Sequence, residues 1–214
     1  MATTDKRKLR IIGELKCLYP DAKGELDFTT PFELLVATIL SAQTTDKQVN
    51  KVTKSLFKVA GTPEGMVNLS PSELTEYIRS IGLYRNKQKH LSAMALKLIE
   101  DFYGIVPKTQ KELMTLPGVG QKTANVVVSN AFGVPAIAVD THVFRVSNRL
   151  GLVKENDVTK TEEALKKVLN EKDWSQMHHC LIYHGRRVCK ARNPLCQECT
   201  LRDDCRYYIK ALKK

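Results

Sequence analysis

The stretch Glu112-Leu113-Met114-Thr115-Leu116-Pro117-Gly118-Val119-Gly120-Gln121-Lys122-Thr123-Ala124 decides how this chain is read. It joins two helical segments through a tight Pro-Gly-Val-Gly turn. Gly118 and Gly120 remove the β-carbons that would keep another backbone at a distance. They leave N–H groups at the positive end of the following helix, which makes an anion site suited to a DNA phosphate. Leu116 and Val119 pack the two helices together. An ordinary helical hairpin with a glycine turn is the plain alternative, but a pattern of a dozen residues favours the phosphate grip. Contacts of this kind position DNA and read no sequence.

Working outward, helical signals dominate. A Ser or Thr followed three residues later by Glu, the capping-box pattern, occurs at Thr30/Glu33, Ser70/Glu73, Thr109/Glu112 and Thr159/Glu162. Pro31 and Pro71 take first-turn positions, where a missing N–H does no harm, and Thr62-Pro63 marks a further start. Gly82, Gly104, Gly133 and Gly151 follow periodic runs and read as stops. Apolar residues recur at helical spacing in Leu34, Leu35, Thr38 and Ile39, in Leu91, Met94, Ala95, Leu98 and Ile99, and in Leu165, Val168 and Leu169. The β-branched run Val126-Val127-Val128 lies between a start at Gly120 and a stop at Gly133, so it reads as buried helix. No stretch alternates with period two, and no repeat or low-complexity linker interrupts the chain. The expectation is an all-α protein of roughly ten helices with short loops.

Lys122 follows the turn directly. A cation there meets the positive end of the helix dipole, and this together with partial desolvation disfavours its charged form. A neutral amine is a nucleophile for carbon and can form a Schiff base. A solvated lysine touching phosphate is the ordinary alternative. Eighteen residues on, Pro135-Ala136-Ile137-Ala138-Val139-Asp140-Thr141-His142-Val143 places an acid at a helix start. As an N-cap, Asp140 would be held as a carboxylate by backbone N–H groups. A carboxylate of that kind can stabilise an oxocarbenium-like sugar or help deprotonate an amine. A plain cap is the better reading of Asp140 alone; the pair, between a glycine hairpin and clustered cysteines, is harder to explain as structure.

Four of the six cysteines, Cys189, Cys196, Cys199 and Cys205, follow the pattern C-x6-C-x2-C-x5-C. The polar N-terminal stretch shows no secretory signal, so clustered thiols read as metal ligands and not as disulfides. Zinc ribbons tend to present two C-x2-C knuckles, and this chain has one. The wider gaps on both sides favour a 4Fe–4S cluster over zinc. Cys17 and Cys180 fall in helical patterns and read as buried, inert thiols. The 214 residues carry 34 Lys and Arg against 23 Asp and Glu, a formal net charge of +11. That excess points first to nucleic acid, second to an anionic membrane surface, with simple solubility as the bland alternative. No apolar run approaches the roughly 20 residues of a membrane span.

At this point a family resemblance is visible. Residues 116–125, Val139-Asp140-Thr141-His142 and the cysteine pattern are similar to endonuclease III enzymes, bifunctional DNA glycosylases of the helix-hairpin-helix superfamily. Leu40-Ser41-Ala42-Gln43-Thr44-Thr45-Asp46 and Ser80-Ile81-Gly82-Leu83-Tyr84 match further family segments, and the likeness runs from about residue 5 to 208. It implies two helical domains flanking a DNA-binding groove. One is a six-helix barrel with the helix-hairpin-helix over residues 22–134; the other is an iron–sulfur cluster domain built from 1–21 and 135–214. It further implies that Lys122 attacks C1′ of the damaged nucleotide, that Asp140 activates Lys122 or stabilises the sugar charge, and that β-elimination then cuts the strand 3′ to the lesion. The expected partner is double-stranded DNA holding oxidised pyrimidines, such as thymine glycol, or abasic sites. A monomer in the cytoplasm, associated with the nucleoid and bearing no targeting signal, fits this reading.

A base must leave the stack before chemistry can reach it. Gln43 and Leu83 match the family's inserting positions: an amide can bond the orphaned partner base, and an apolar wedge can part a step. Between the first two cluster cysteines, Lys190 and Arg192 are placed to meet phosphates, with Arg186 and Arg187 just before them. His142 either lines the groove or satisfies a backbone group near its helix start. His178, His179 and His184 share a helix with no matching carboxylates and read as structural. Two rivals remain open at this stage: a monofunctional adenine glycosylase of the superfamily, which would lack the lysine, and a non-enzymatic DNA-binding module with a structural metal.

Overall fold

The computed structural model describes residues 3–212, and among these it contains helices and no strand. In chain order they are α1 (Thr3–Leu18), α2 (Pro31–Leu40), α3 (Asp46–Ala60), α4 (Pro63–Asn68), α5 (Pro71–Ile78), α6 (Tyr84–Phe102), α7 (Gln110–Leu113), α8 (Gln121–Phe132), α9 (Thr141–Leu150), α10 (Val158–Val168), α11 (Trp174–Arg187) and α12 (Arg206–Leu212). The described count is higher than the spacing predicts. Helices as short as α7 and α12 hold too few apolar repeats to show a period.

Local chemistry sets most helix starts. Ser70 accepts the Glu73 N–H while the Glu73 carboxylate accepts the Ser70 N–H at 2.8 Å, so this capping box closes in both directions. Thr30 takes the Glu33 N–H at 3.1 Å, but the Glu33 carboxylate turns one residue back, to the Thr29 N–H at 2.6 Å. Thr109 caps α7 through the Glu112 N–H at 3.2 Å. At α10 the expected start is displaced. Asp157, not Thr159, is the cap, accepting the Lys160 N–H at 2.8 Å, and Thr159 lies inside the helix. Aspartate caps as well as threonine does, and Glu162 is then occupied by Lys166 at 2.6 Å. Gly133 and Gly151 close α8 and α9 in the left-handed conformation, as glycine stops do.

The chain divides into two compact units, Glu25–Val134 and Met1–Gly24 with Pro135–Lys214. In the first, α2 is the central element. Every residue from Phe32 to Leu40 is buried, and the helix rests on α3, α6 and α8. The β-branched run is helical, with Val127 and Val128 buried. α6 packs α4 and α5 against its side. A six-residue helix such as α4 cannot offset its own nucleation, whereas fully burying one side chain like Met66 contributes roughly 1.5–3 kcal/mol. Tertiary packing therefore holds it.

In the second unit Ile11 and Leu15 of α1, Val143, Val146 and Leu150 of α9, Leu165 of α10, and Met177 and Leu181 of α11 form one core. α9 lies along α11, and α1 also packs on α11. Arg7 donates to the carbonyls of Leu150 and Gly151 at 2.8 and 2.6 Å, satisfying the C-terminal end of α9, and to that of Asp204 at 2.6 Å. Cys180 is buried in this core as expected, and burial pushes its thiol up to about 11. Cys17 corrects the sequence reading: it is exposed. The buried stripe of α1 runs through Ile11, Ile12 and Leu15, and a residue two beyond Leu15 points away from it. No helix is long and apolar enough to cross a membrane among the described residues.

Candidate functional site

In the first unit α7 and α8 form the hairpin. Leu113, Leu116 and Val119 are buried and tie the turn to the core. The two glycines have different reasons to be glycine. Gly118 has φ +78°, and a β-carbon there would stand 2.9 Å from the His90 β-carbon. Gly120 is the N-cap of α8; it offers no side-chain acceptor, and a β-carbon on it would meet nothing within 4 Å. Gly118 therefore serves the protein's own packing, and Gly120 keeps the outside of the turn open. Lys122 sits in the first turn of α8 and is exposed. The partial desolvation expected of it is absent from the protein alone.

Gln43 and Leu83 lie in two neighbouring loops of this unit. Both are non-glycine residues at positive φ, 56° and 58°, and Leu83 is 58% exposed. Such conformations cost of the order of 1–3 kcal/mol each and persist where the surroundings fix them. A β-carbon on Gly82 would approach the Gln43 carbonyl to 3.3 Å, so glycine lets the two loops touch. Gln48 donates to the Ser80 hydroxyl at 2.8 Å and adds a second tie. A third tie escaped the sequence reading. Lys87, buried in α6, donates to the carbonyls of Leu40 and Ala42 at 2.9 and 2.5 Å and approaches the Thr44 hydroxyl at 3.4 Å. Burial lowers its pKa. The available signal was its place four residues before Leu91, on the apolar stripe of α6, where a lysine needs a special reason.

In the second unit Asp140 is the N-cap of α9 and accepts the Val143 N–H at 2.8 Å. The same helix reaches the cysteine segment. Arg145 donates to the carbonyls of Cys189 and Gly185 at 3.1 and 3.0 Å. Arg149 donates to those of Lys190 and Ala191 at 2.7 and 3.0 Å and lies 3.7 Å from the Cys189 Sγ. These two arginines, one turn apart, were missed; their spacing after Asp140 was the only signal. His142 accepts from Arg145 at 3.1 Å and packs on Gly185. Lys190 and Arg192 are exposed on the loop so pinned. His178 meets the Ala138 carbonyl at 2.7 Å, and His184 Nδ1 and the Tyr19 hydroxyl share a hydrogen bond at 3.1 Å, both within the core.

Cys189, Cys196, Cys199 and Cys205 line one cavity, walled by Leu150, Val188, Leu195 and Tyr207. Among the described residues no three His, Cys, Asp or Glu side chains are disposed to hold a single metal ion. Four thiols spread around a cavity suit a multi-iron cluster better than one zinc. Burial, with the neighbouring thiols, pushes Cys196 and Cys199 up, and burial does the same to Cys205. Without iron these thiols hold their protons, and iron would displace them. The donor set, the apolar wall and the Arg149 contact on Cys189 fit an iron–sulfur cluster.

Comparison with known proteins agrees. Residues 36–171 match the HhH-GPD superfamily base excision DNA repair protein, and residues 189–205 match the iron–sulfur binding domain of endonuclease III. Endonuclease III of Bacillus subtilis (strain 168) is 52% identical over 198 residues, 92% of this chain and 90% of that protein. A non-covalent endonuclease III–DNA complex has a TM-score of 0.93 at 48% identity and covers 100% of both chains. A trapped endonuclease III–DNA covalent intermediate, an estranged-adenine complex, has a TM-score of 0.92 at 48% identity, covering 99% of this chain and 100% of that one. The cofactor is a 4Fe–4S cluster. With the glycine hairpin, the four-cysteine cavity and near-complete likeness in sequence and fold, this chain belongs to the endonuclease III family of helix-hairpin-helix base excision DNA repair proteins.

Proposed function

We infer that this chain is a bifunctional DNA glycosylase and abasic-site lyase of base excision repair, with Lys122 as its nucleophile and Asp140 as the carboxylate that assists it. The single observation that carries the reading is an exposed lysine in the first turn of α8, immediately after a hairpin whose N-cap is an open glycine. Such a turn binds a phosphate through backbone N–H groups, which brings the neighbouring sugar to the lysine. Contact with DNA buries the Lys122 amine beside the sugar it attacks.

The chemistry then follows in order. Gln43 and Leu83 enter the duplex where the damaged base leaves the stack. The Lys122 Nζ lone pair forms a bond to C1′, the glycosidic C1′–N bond breaks, and the base departs with the bonding pair. Asp140 takes the amine proton or stabilises the positive sugar. Opening of the sugar ring breaks C1′–O4′ and gives a protonated Schiff base. That group acidifies C2′; loss of a C2′ proton expels the 3′ phosphate, and the strand breaks 3′ to the lesion. Water finally hydrolyses the Schiff base and frees Lys122.

In this reading Glu25–Val134 acts as the barrel domain carrying the hairpin, and the remaining unit as the cluster domain. Cys189, Cys196, Cys199 and Cys205 hold the cluster, which when bound cross-links the segment that presents Lys190 and Arg192 to phosphates. The substrate is double-stranded DNA holding oxidised pyrimidines or abasic sites. The protein acts as a monomer, in the cytoplasm at the nucleoid.

Borohydride trapping on a thymine-glycol duplex tests the assignment. The intact protein is expected to give a covalent protein–DNA adduct and Lys122→Ala none. An adduct that persists in Lys122→Ala would move the nucleophile elsewhere.

A further inference from the structure

We propose that Lys87 is a positioning residue for base extrusion: its buried ammonium locks the Gln43 loop to the Leu83 loop, so that the two inserting side chains act as one rigid unit. The inference rests on the reading that Gln43 and Leu83 enter the duplex.

Lys87 is joined to both loops at once. Its backbone N–H donates to the Leu83 carbonyl at 3.2 Å, in the first turn of α6. Its ammonium meets the carbonyls of Leu40 and Ala42 and the Thr44 hydroxyl, which bracket Gln43 from both sides. An ammonium has three donors, and three oxygens surround it here. The Leu40 carbonyl ends α2, where a cation also opposes the negative end of the helix. The residue is 5% exposed and lies on the apolar stripe with Leu91, Met94, Ala95 and Leu98. The ammonium's partners are two carbonyls and a hydroxyl, all uncharged. A methionine or leucine would pack there more simply, so the charge is spent on the three oxygens of the loop.

Those oxygens hold a strained turn. Gln43 and Leu83 both sit at positive φ, which side chains other than glycine rarely adopt. Left alone, each loop would relax and carry its side chain away from the other. Extrusion needs the reverse, because the wedge and the amide must meet the duplex at a fixed separation while stacking resists them. Rigid support lets the binding energy act on the duplex and not on ordering the loops.

The consequence is selective. Removing a damaged base requires a pair to be opened, whereas an abasic site has no base to unstack. Lys87→Met is therefore expected to slow glycosylase turnover on a thymine-glycol duplex by tenfold or more, and to change strand cleavage at a preformed abasic site by less than about threefold. In a double-mutant cycle, Lys87→Met is expected to add nothing once Gln43→Ala and Leu83→Ala are both present. Lys87→Gln, which keeps two N–H donors without the charge, shows the same split at smaller size and serves if Lys87→Met does not fold. Equal loss of both activities in the folded variant, or losses that multiply through the cycle, would overturn the role of Lys87 and leave Gln43 and Leu83 standing. An unchanged glycosylase rate in the Gln43→Ala/Leu83→Ala protein itself would overturn the insertion reading, and this inference with it.

Discussion

Gly118 packs its bare Cα against His90, so closely that a β-carbon at 118 would lie 2.9 Å from the His90 β-carbon. The contact seats the hairpin turn on α6. Gly118→Ala meets both this clash and a φ of +78°, and each alone is unfavourable. Its expected effect is a loss of about 1–3 kcal/mol of stability, seen as a lower midpoint in urea. His90→Gly in the same chain relieves the clash but not the backbone strain, so the recovery is partial. Gly120→Ala meets open space and loses at most about 1 kcal/mol as a poorer N-cap. Its defect appears in DNA affinity instead. Two glycines two residues apart thus separate folding from phosphate contact, and equal destabilisation by the two substitutions would contradict that division.

Much of this was legible in the sequence, for identifiable reasons. The hairpin, the Asp140 cap and the cysteine cavity are local in sequence: residues a few apart impose the geometry through φ, through a cap, or through shared ligation. The α10 start was misplaced because two good caps, Asp157 and Thr159, stand two residues apart and only packing chooses. Cys17 was misread because one helical position moves a side chain from core to solvent. Lys87, Arg145 and Arg149 were not legible as functional, since their partners lie more than forty residues away in Leu40, Cys189, Lys190 and Ala191. A sequence displays a charge on an apolar stripe but not the carbonyl it will find.

Asp140 combines a cap with a proposed catalytic charge, and two substitutions take them apart. Asparagine caps as well as aspartate, so Asp140→Asn keeps the Val143 N–H bond and the thermal midpoint stays nearly unchanged. It loses the negative charge, and single-turnover strand cleavage is expected to fall by about 10²-fold or more. Asp140→Ala loses the cap too, with about 1 kcal/mol of stability. If Asp140→Asn cleaved at the intact rate, the cap would be the whole role of this residue.

His179 gives the fold an acid sensitivity. Burial, with His178 nearby, lowers its pKa from 6.5 to about 3. The unfolded chain takes the proton near 6.5 and the folded one only near 3, so the unfolded state binds more protons between those values. This contribution is complete above 6.5, falls with pH below it, and levels off near 3. Between pH 7 and pH 5 the loss is about 2 kcal/mol, read from urea midpoints across that range. His179→Gln should flatten its share of the slope; an unchanged slope would place the sensitivity elsewhere.

Lys190 and Arg192 stand exposed on a loop whose carbonyls are held by Arg149 at 2.7 and 3.0 Å. A pinned cation meets a phosphate without first losing its freedom, and each phosphate neutralised releases counterions. Affinity for an abasic-site duplex should therefore fall steeply as salt rises. Lys190→Ala and Arg192→Ala are each expected to reduce the slope of log K against log salt by about 0.9. Arg149→Met leaves both cations in the sequence but frees the loop carbonyls. Its expected signature is different: weaker binding at every salt concentration with a slope close to that of the intact protein, because the contacts still form but the loop must be ordered first. Fluorescence anisotropy across a salt series separates the two cases. A slope unchanged by Lys190→Ala and Arg192→Ala together would remove this loop from the DNA interface.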